Sequence, residues 1–163
     1  MSDVHTGGCQ CGAVRYRLEG PLERATICHC RMCQKAFGSF FAPLVGIRLD
    51  DFTLTRGELA RFRSSDFVER GFCAACGTPL SFYEIGSGKI DVSIGSLDDP
   101  TVAKPVLQYG VESRMPWFDE LAGLPTQTTA EGEGEAHLGE IAASNHQHPD
   151  HDTAVWPPQD QGR

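Results

Sequence analysis

Hydrophobic and polar positions alternate along much of this chain in the two-residue period of half-buried strands. Ala13-Val14-Arg15-Tyr16-Arg17-Leu18 shows the pattern most plainly and stops at Gly20-Pro21. Phe40-Phe41-Ala42-Pro43-Leu44-Val45 is a continuous apolar run whose proline points to an edge or a bulge. Leu59 to Arg63, Phe67 to Arg70, Leu80 to Tyr83, Ile90 to Ile94 and Val106 to Tyr109 complete a series of short strands divided by turn residues. Strands spaced this regularly favour an all-β arrangement over alternating strands and helices. Only Arg31 to Phe37 reads as helical, for about two turns.

The pattern ends near Pro125. Residues 1–125 form one domain, long enough to bury a core without a partner. Residues 126–163 form a tail poor in apolar side chains and rich in Glu, His and Pro. Such a segment offsets little of the entropy of ordering its backbone, so it is expected to be mobile or loosely docked, and its removal to leave stability nearly unchanged. Charge divides at the same place. The domain carries 13 basic and 15 acidic side chains, whereas the tail carries one basic and seven acidic. Neither part supplies the basic stripe that nucleic-acid binding needs. No apolar run reaches the roughly 18 residues of a membrane span, and the N-terminus has no secretory pattern. The expected compartment is a reducing cytoplasm, where clustered cysteines point to metal or redox chemistry before disulfides.

Seven cysteines, an odd number, fall into three groups: Cys9 and Cys11; Cys28, Cys30 and Cys33; Cys73 and Cys76. Two thiolates two or three positions apart can share one metal ion because a tight turn brings both sulfurs onto it. A pair is only half of a tetrahedral site, and the middle trio cannot join another pair without exceeding four ligands. The economical partition gives Cys9, Cys11, Cys73 and Cys76 one closed zinc site, and Cys28, Cys30 and Cys33 a second with its fourth position open. Three protein ligands and an open position distinguish catalytic from structural zinc. The rival arrangement closes the second site with His5 or His29. A thioredoxin-like redox pair lacks its βαβ context. Arg31 and Lys35 flank the trio and could offset its charge, or stand as ordinary solvated side chains.

These residues resemble the glutathione-dependent formaldehyde-activating enzyme family, which also includes the centromere protein V type. The resemblance rests on Gly8-Cys9-Gln10-Cys11-Gly12, Cys28-His29-Cys30-Arg31-Met32-Cys33-Gln34-Lys35, Arg70-Gly71-Phe72-Cys73-Ala74-Ala75-Cys76-Gly77-Thr78-Pro79 and Glu112-Ser113-Arg114-Met115-Pro116-Trp117. It runs from about residue 7 to 125. It implies a mainly β, Mss4-like, zinc-stapled domain with two zinc ions per chain. It also implies carbon–sulfur lyase chemistry, the reversible joining of formaldehyde to glutathione. The same cysteine partition follows, with Cys28, Cys30 and Cys33 as the active site. Many relatives carry His-x-Trp where this chain has Gln108-Tyr109-Gly110, so a pocket lined there would select differently.

In the enzyme reading a small thiol such as glutathione takes the open position as thiolate and adds to an aldehyde carbon. Ser39, His29 and Arg31 are proton-donor candidates by nearness in sequence alone. A non-catalytic zinc-stapled binding module is the competing reading. His146-Gln147-His148-Pro149-Asp150-His151 could hold a metal but reads first as solvated, and Trp117 and Phe118 read as packing residues.

Overall fold

The computed structural model describes residues 3–157 as two antiparallel-rich sheets with a few short helices. The smaller sheet has the order β1-β2-β5, from β1 (Val4–Gly8), β2 (Arg15–Glu19) and β5 (Phe52–Arg56). The larger is seven-stranded, β10-β3-β4-β9-β8-β7-β6, built from β3 (Ala25–Cys28), β4 (Ala42–Arg48), β6 (Ala60–Arg63), β7 (Val68–Phe72), β8 (Pro79–Glu84), β9 (Lys89–Ser93) and β10 (Leu107–Tyr109). Neighbours pair antiparallel except β10 with β3, which run parallel. The expected mainly β fold is what forms. The single helix expected in the domain, α1, spans Arg31–Phe37 and ends on Gly38 in the left-handed region.

Alternation explains the layering. Val45 and Ile47 of β4 and Ile90 and Val92 of β9 turn toward Tyr16 and Leu18 of β2 to form the main core, and Leu80 joins it from β8 where the β7–β8 register shifts between Gly71 and Phe72. The residues between them face the other way. Arg70, Phe82 and Asp91 are successive cross-strand partners on β7, β8 and β9, so they share that opposite face. Cys28 pairs with Ala42 and with Tyr109 at the other end of the sheet.

Three strands escaped the sequence reading. β1 contains Gly7 and Gly8, and β3 is four residues long, so neither carries a strong strand signal. β5 does alternate, with Phe52 and Leu54 packed against the core between outward threonines.

The tail forms α2 (Thr129–Glu133), opened by a Thr128–Glu131 capping box, and α3 (Glu135–Ala143). Beyond α3 the chain returns to the β1–β2 turn. The His148 amide donates to Gln10 O at 2.7 Å, Asp152 pairs with Arg15 at 2.8 Å, and Trp156 Nε1 donates to Cys11 O at 2.6 Å. His148 is buried, although composition alone gave it to solvent. A Cβ on Gly12, whose φ is +78°, would overlap its ring.

Candidate metal centres and the cavity above the second

Two hairpin turns from different sheets create the first cluster. Cys9 and Cys11 lie between β1 and β2, and Cys73 and Cys76 between β7 and β8. Their four sulfurs lie within 4.8 Å of one another. The local backbone fits sulfur ligation: the Val14 amide donates to Cys9 Sγ at 3.2 Å. Gly77, at φ +78°, closes the second turn by donating its amide to Cys73 O at 2.9 Å, so it shapes the loop without touching a sulfur. Thr78 ties the two turns, accepting from the Gln10 amide at 3.1 Å while lying 3.1 Å from Cys76 Sγ.

The second cluster comes from one continuous segment. Cys28 ends β3, Cys30 is the N-cap of α1 and Cys33 sits in its first turn, with the Cys33 amide donating to Cys30 Sγ at 3.4 Å. The three sulfurs again lie within 4.8 Å, and among the described residues no histidine, carboxylate or fourth cysteine joins them. All seven cysteines are free. Four sulfurs in one group and three in the other suit metal ions, and such thiolate sets fit zinc.

Neither histidine of the rival arrangement reaches the trio. His5 lies on β1, paired with Leu18 in the other sheet. His29 is fully buried with Nε2 on Gln108 Oε1 at 3.0 Å, and its ring packs edge-on against Phe118 at 4.7 Å and near Phe41. Phe40, Phe41, Trp117 and Phe118 form one aromatic cluster around it, the packing role expected for the last two.

The proton-donor candidates picked by sequence distance are also displaced. Cys28, Cys30 and Cys33 border a cavity of about 710 Å³ that none of Ser39, His29 or Arg31 lines. Arg31 is exposed and donates to Gln34 Oε1 at 2.6 Å, and Lys35 is exposed. The cation at the sulfurs is Arg70, only 8% exposed, whose Nη2 lies 3.5 Å from Cys33 Sγ and whose guanidinium stacks over Phe82. Its Nη1 is buried with no partner. Hydrogen bonding from Cys28 and then the Arg70 charge, against burial, pull the Cys33 thiol down to about 5. Asp91 lines the same cavity, and burial followed by the Glu23 charge raises its carboxyl to about 6. Lys89 and Cys33, together with Glu84, also act on that carboxyl.

A family model described as glutathione-dependent formaldehyde-activating enzyme matches residues 4–113. The chain belongs to this family. The match takes in all seven cysteines and the strands that carry them. A crystal structure of a Rhodobacter sphaeroides protein is similar in fold, with a TM-score of 0.52 and 24% identity over 63% of this chain and 98% of that one. No described helix is long and apolar enough to cross a membrane. Within the family match, Gln108-Tyr109-Gly110 borders the trio directly: the His29 amide donates to Tyr109 O at 2.8 Å, and a Cβ on Gly110 would meet Cys30 N at 2.8 Å.

Proposed function

We propose that the protein is a zinc-dependent carbon–sulfur lyase that makes and breaks a thiol–aldehyde adduct at Cys28, Cys30 and Cys33. The observation carrying this reading is a three-sulfur group with no fourth donor among the described residues, set in a cavity large enough for a substrate. Cys9, Cys11, Cys73 and Cys76 form the closed structural site. Bound zinc at the trio supplies a positive centre that keeps an incoming thiol as thiolate at neutral pH.

The chain's own residues do the rest. Arg70 offsets the net negative charge of three thiolates on a divalent cation, because its buried guanidinium sits against Cys33. The sheet face around Leu44 and Phe82 limits water and orients the reactants. In the forward direction the thiol sulfur bonds to the aldehyde carbon, the C=O π electrons move to oxygen, and the proton given up by the thiol ends on that oxygen. Nothing is oxidised or reduced. Asp91 is the cavity carboxyl suited to carry the proton, being held near neutrality by its surroundings. Thiolates left unpaired as disulfides also suit a reducing cytoplasm.

Cobalt substitution followed by thiol titration tests the reading. A thiol should change the visible spectrum of the second site, and the protein should accelerate exchange between an aldehyde and its adduct with whichever thiol does so. A spectrum indifferent to every thiol would favour a zinc-stapled binding module instead.

A further inference from the structure

Four of the large apolar side chains left in solvent gather at one place. Phe67 is 74% exposed, Tyr109 65%, Met32 47% and Leu107 37%, and all four border the cavity of the cysteine trio. They arrive from α1, the β6–β7 turn and β10, three segments far apart in sequence. Single exposed apolar residues are ordinary, but a ring of them around one mouth marks a binding surface. The lip continues sideways. Phe62, 62% exposed, borders an adjoining space of about 430 Å³ that also meets Met32 and Arg70.

The charges of this cavity do not suit a strongly ionic ligand. Arg24 and Glu84 stand exposed at the rim with opposite signs. Deeper in, Arg70 is engaged with Cys33, and Asp91 contributes a second acid. Glutathione brings two carboxylates and an ammonium group, and would meet an apolar lip with one uncommitted arginine. A one-carbon aldehyde, in turn, has no use for a wall of this extent. The substituent on a sulfur seated at Cys28, Cys30 and Cys33 has to leave along that wall, so the wall reports on the thiol.

Building on the lyase reading, we propose that the thiol partner of this protein is apolar, an alkyl or aryl thiol whose hydrocarbon part lies on Met32, Phe67, Leu107 and Tyr109. The reaction keeps the balance given above: the S–C bond forms, and the thiol proton ends on the former carbonyl oxygen. The cavity volume of about 710 Å³ matches the upper half of the range typical of organic ligands.

Calorimetric titration of the zinc-loaded protein with phenylmethanethiol, glutathione and 2-mercaptoethanol, at several temperatures, tests this. Phenylmethanethiol should bind at least about tenfold more tightly than glutathione, with the negative heat-capacity change of apolar burial. Phe67→Ser, in an exposed turn where folding does not depend on it, should weaken phenylmethanethiol about tenfold and leave 2-mercaptoethanol within about twofold. Preference for glutathione, or indifference to Phe67→Ser, overturns the apolar class while leaving the lyase reading intact. If no thiol binds, both readings fall together. If Phe67→Ser changes sedimentation behaviour instead of thiol affinity, a second copy covers the lip and the proposal is overturned.

Discussion

Replacing Arg70 by methionine separates metal binding from folding more cleanly than any cysteine substitution. Its Nη2 lies 3.5 Å from Cys33 Sγ, and the side chain is only 8% exposed, so solvent screens the pair weakly. Unit charges about 4 Å apart attract by about 4 kcal/mol at an effective dielectric near 20. The trio with zinc carries one net negative charge spread over three sulfurs, which roughly halves that figure to about 2 kcal/mol, or about 30-fold in metal affinity. Folding should hardly notice. Arg70 leaves Nη1 buried without a partner, and a methionine stem can occupy the same channel over Phe82, so losing the guanidinium should shift stability by no more than about 1 kcal/mol. Chelator competition on the two-zinc protein reads both sites at once, with the four-cysteine site as internal standard. The Arg70→Met protein should release its second zinc at about 30-fold lower chelator strength and its first zinc as wild type does. Equal loss from both sites would mean a general loosening of the fold, and no change at either would refute the charge-balancing role.

Cys73→Ser should unfold the protein or leave it insoluble, because its site joins turns 62 residues apart, as counted from Cys11 to Cys73, whereas Cys30→Ser should stay folded and lose only the second zinc. Circular dichroism with zinc analysis distinguishes them, and parallel unfolding would make the second site structural. Asp91 should make stability fall as pH rises from about 4 to about 6, since its carboxyl, raised from 3.8 to about 6 by burial and Glu23, holds a proton more tightly folded than unfolded. Asp91→Asn should remove that slope in thermal melts and be the more stable protein at pH 7; an unchanged slope would show that the carboxyl is ionised without penalty. Deleting residues 146–163 takes away the Arg15–Asp152 pair and the Trp156–Cys11 bond, and should cost about 2 kcal/mol in urea denaturation. It should also speed zinc loss from the first site alone, and stability equal to the full chain would restore the loosely docked tail that composition suggests.

The cysteine groups were legible because metal chemistry imposes short local spacings, and α1 because its apolar period fits between Cys30 and Gly38. β5 was missed although Phe52 and Leu54 alternate with Thr53 and Thr55, a pattern that could have placed it. Arg70 and Asp91 could be seen only as residues. Their place at the cavity depends on registers, Arg70 beside Phe82 and Phe82 beside Asp91, that long-range pairing sets and local pattern does not. Ser39 and Arg31 mislead because nearness in sequence is not nearness in space: Arg31 is one position from Cys30 and two from Cys33, and residues so spaced on a helix do not share a face, while Ser39 lies beyond the Gly38 cap that ends α1. The tail shows a different limit. Its composition counts apolar area, whereas residues 147–156 dock through polar pairs to Arg15, Arg56 and two loop carbonyls. Polar complementarity of that kind has no signature until both surfaces are built.

The difference between the two cysteine clusters follows from how many chain segments reach each. At the first, two hairpin turns from separate sheets converge, each bringing two sulfurs, so that four donors of the kind zinc takes lie within 4.8 Å of one another. At the second, every sulfur comes from the β3–α1 corner. The segments packed around that corner bring something other than a metal donor. β10 approaches through Gly110, whose missing Cβ lets backbone lie against Cys30, and through Tyr109, whose carbonyl is spent on the His29 amide. β7 brings Arg70, a cation that attracts thiolates but cannot ligate. His29, the nearest histidine in sequence, is held away by Gln108 and the ring of Phe118. Each neighbour thereby supports three sulfurs without supplying a fourth donor, and the remaining direction opens on the cavity. The absence of a fourth donor near the trio among the described residues therefore follows from the strand order itself, with β10 and β7 placed where a cysteine-bearing turn stands at the other cluster.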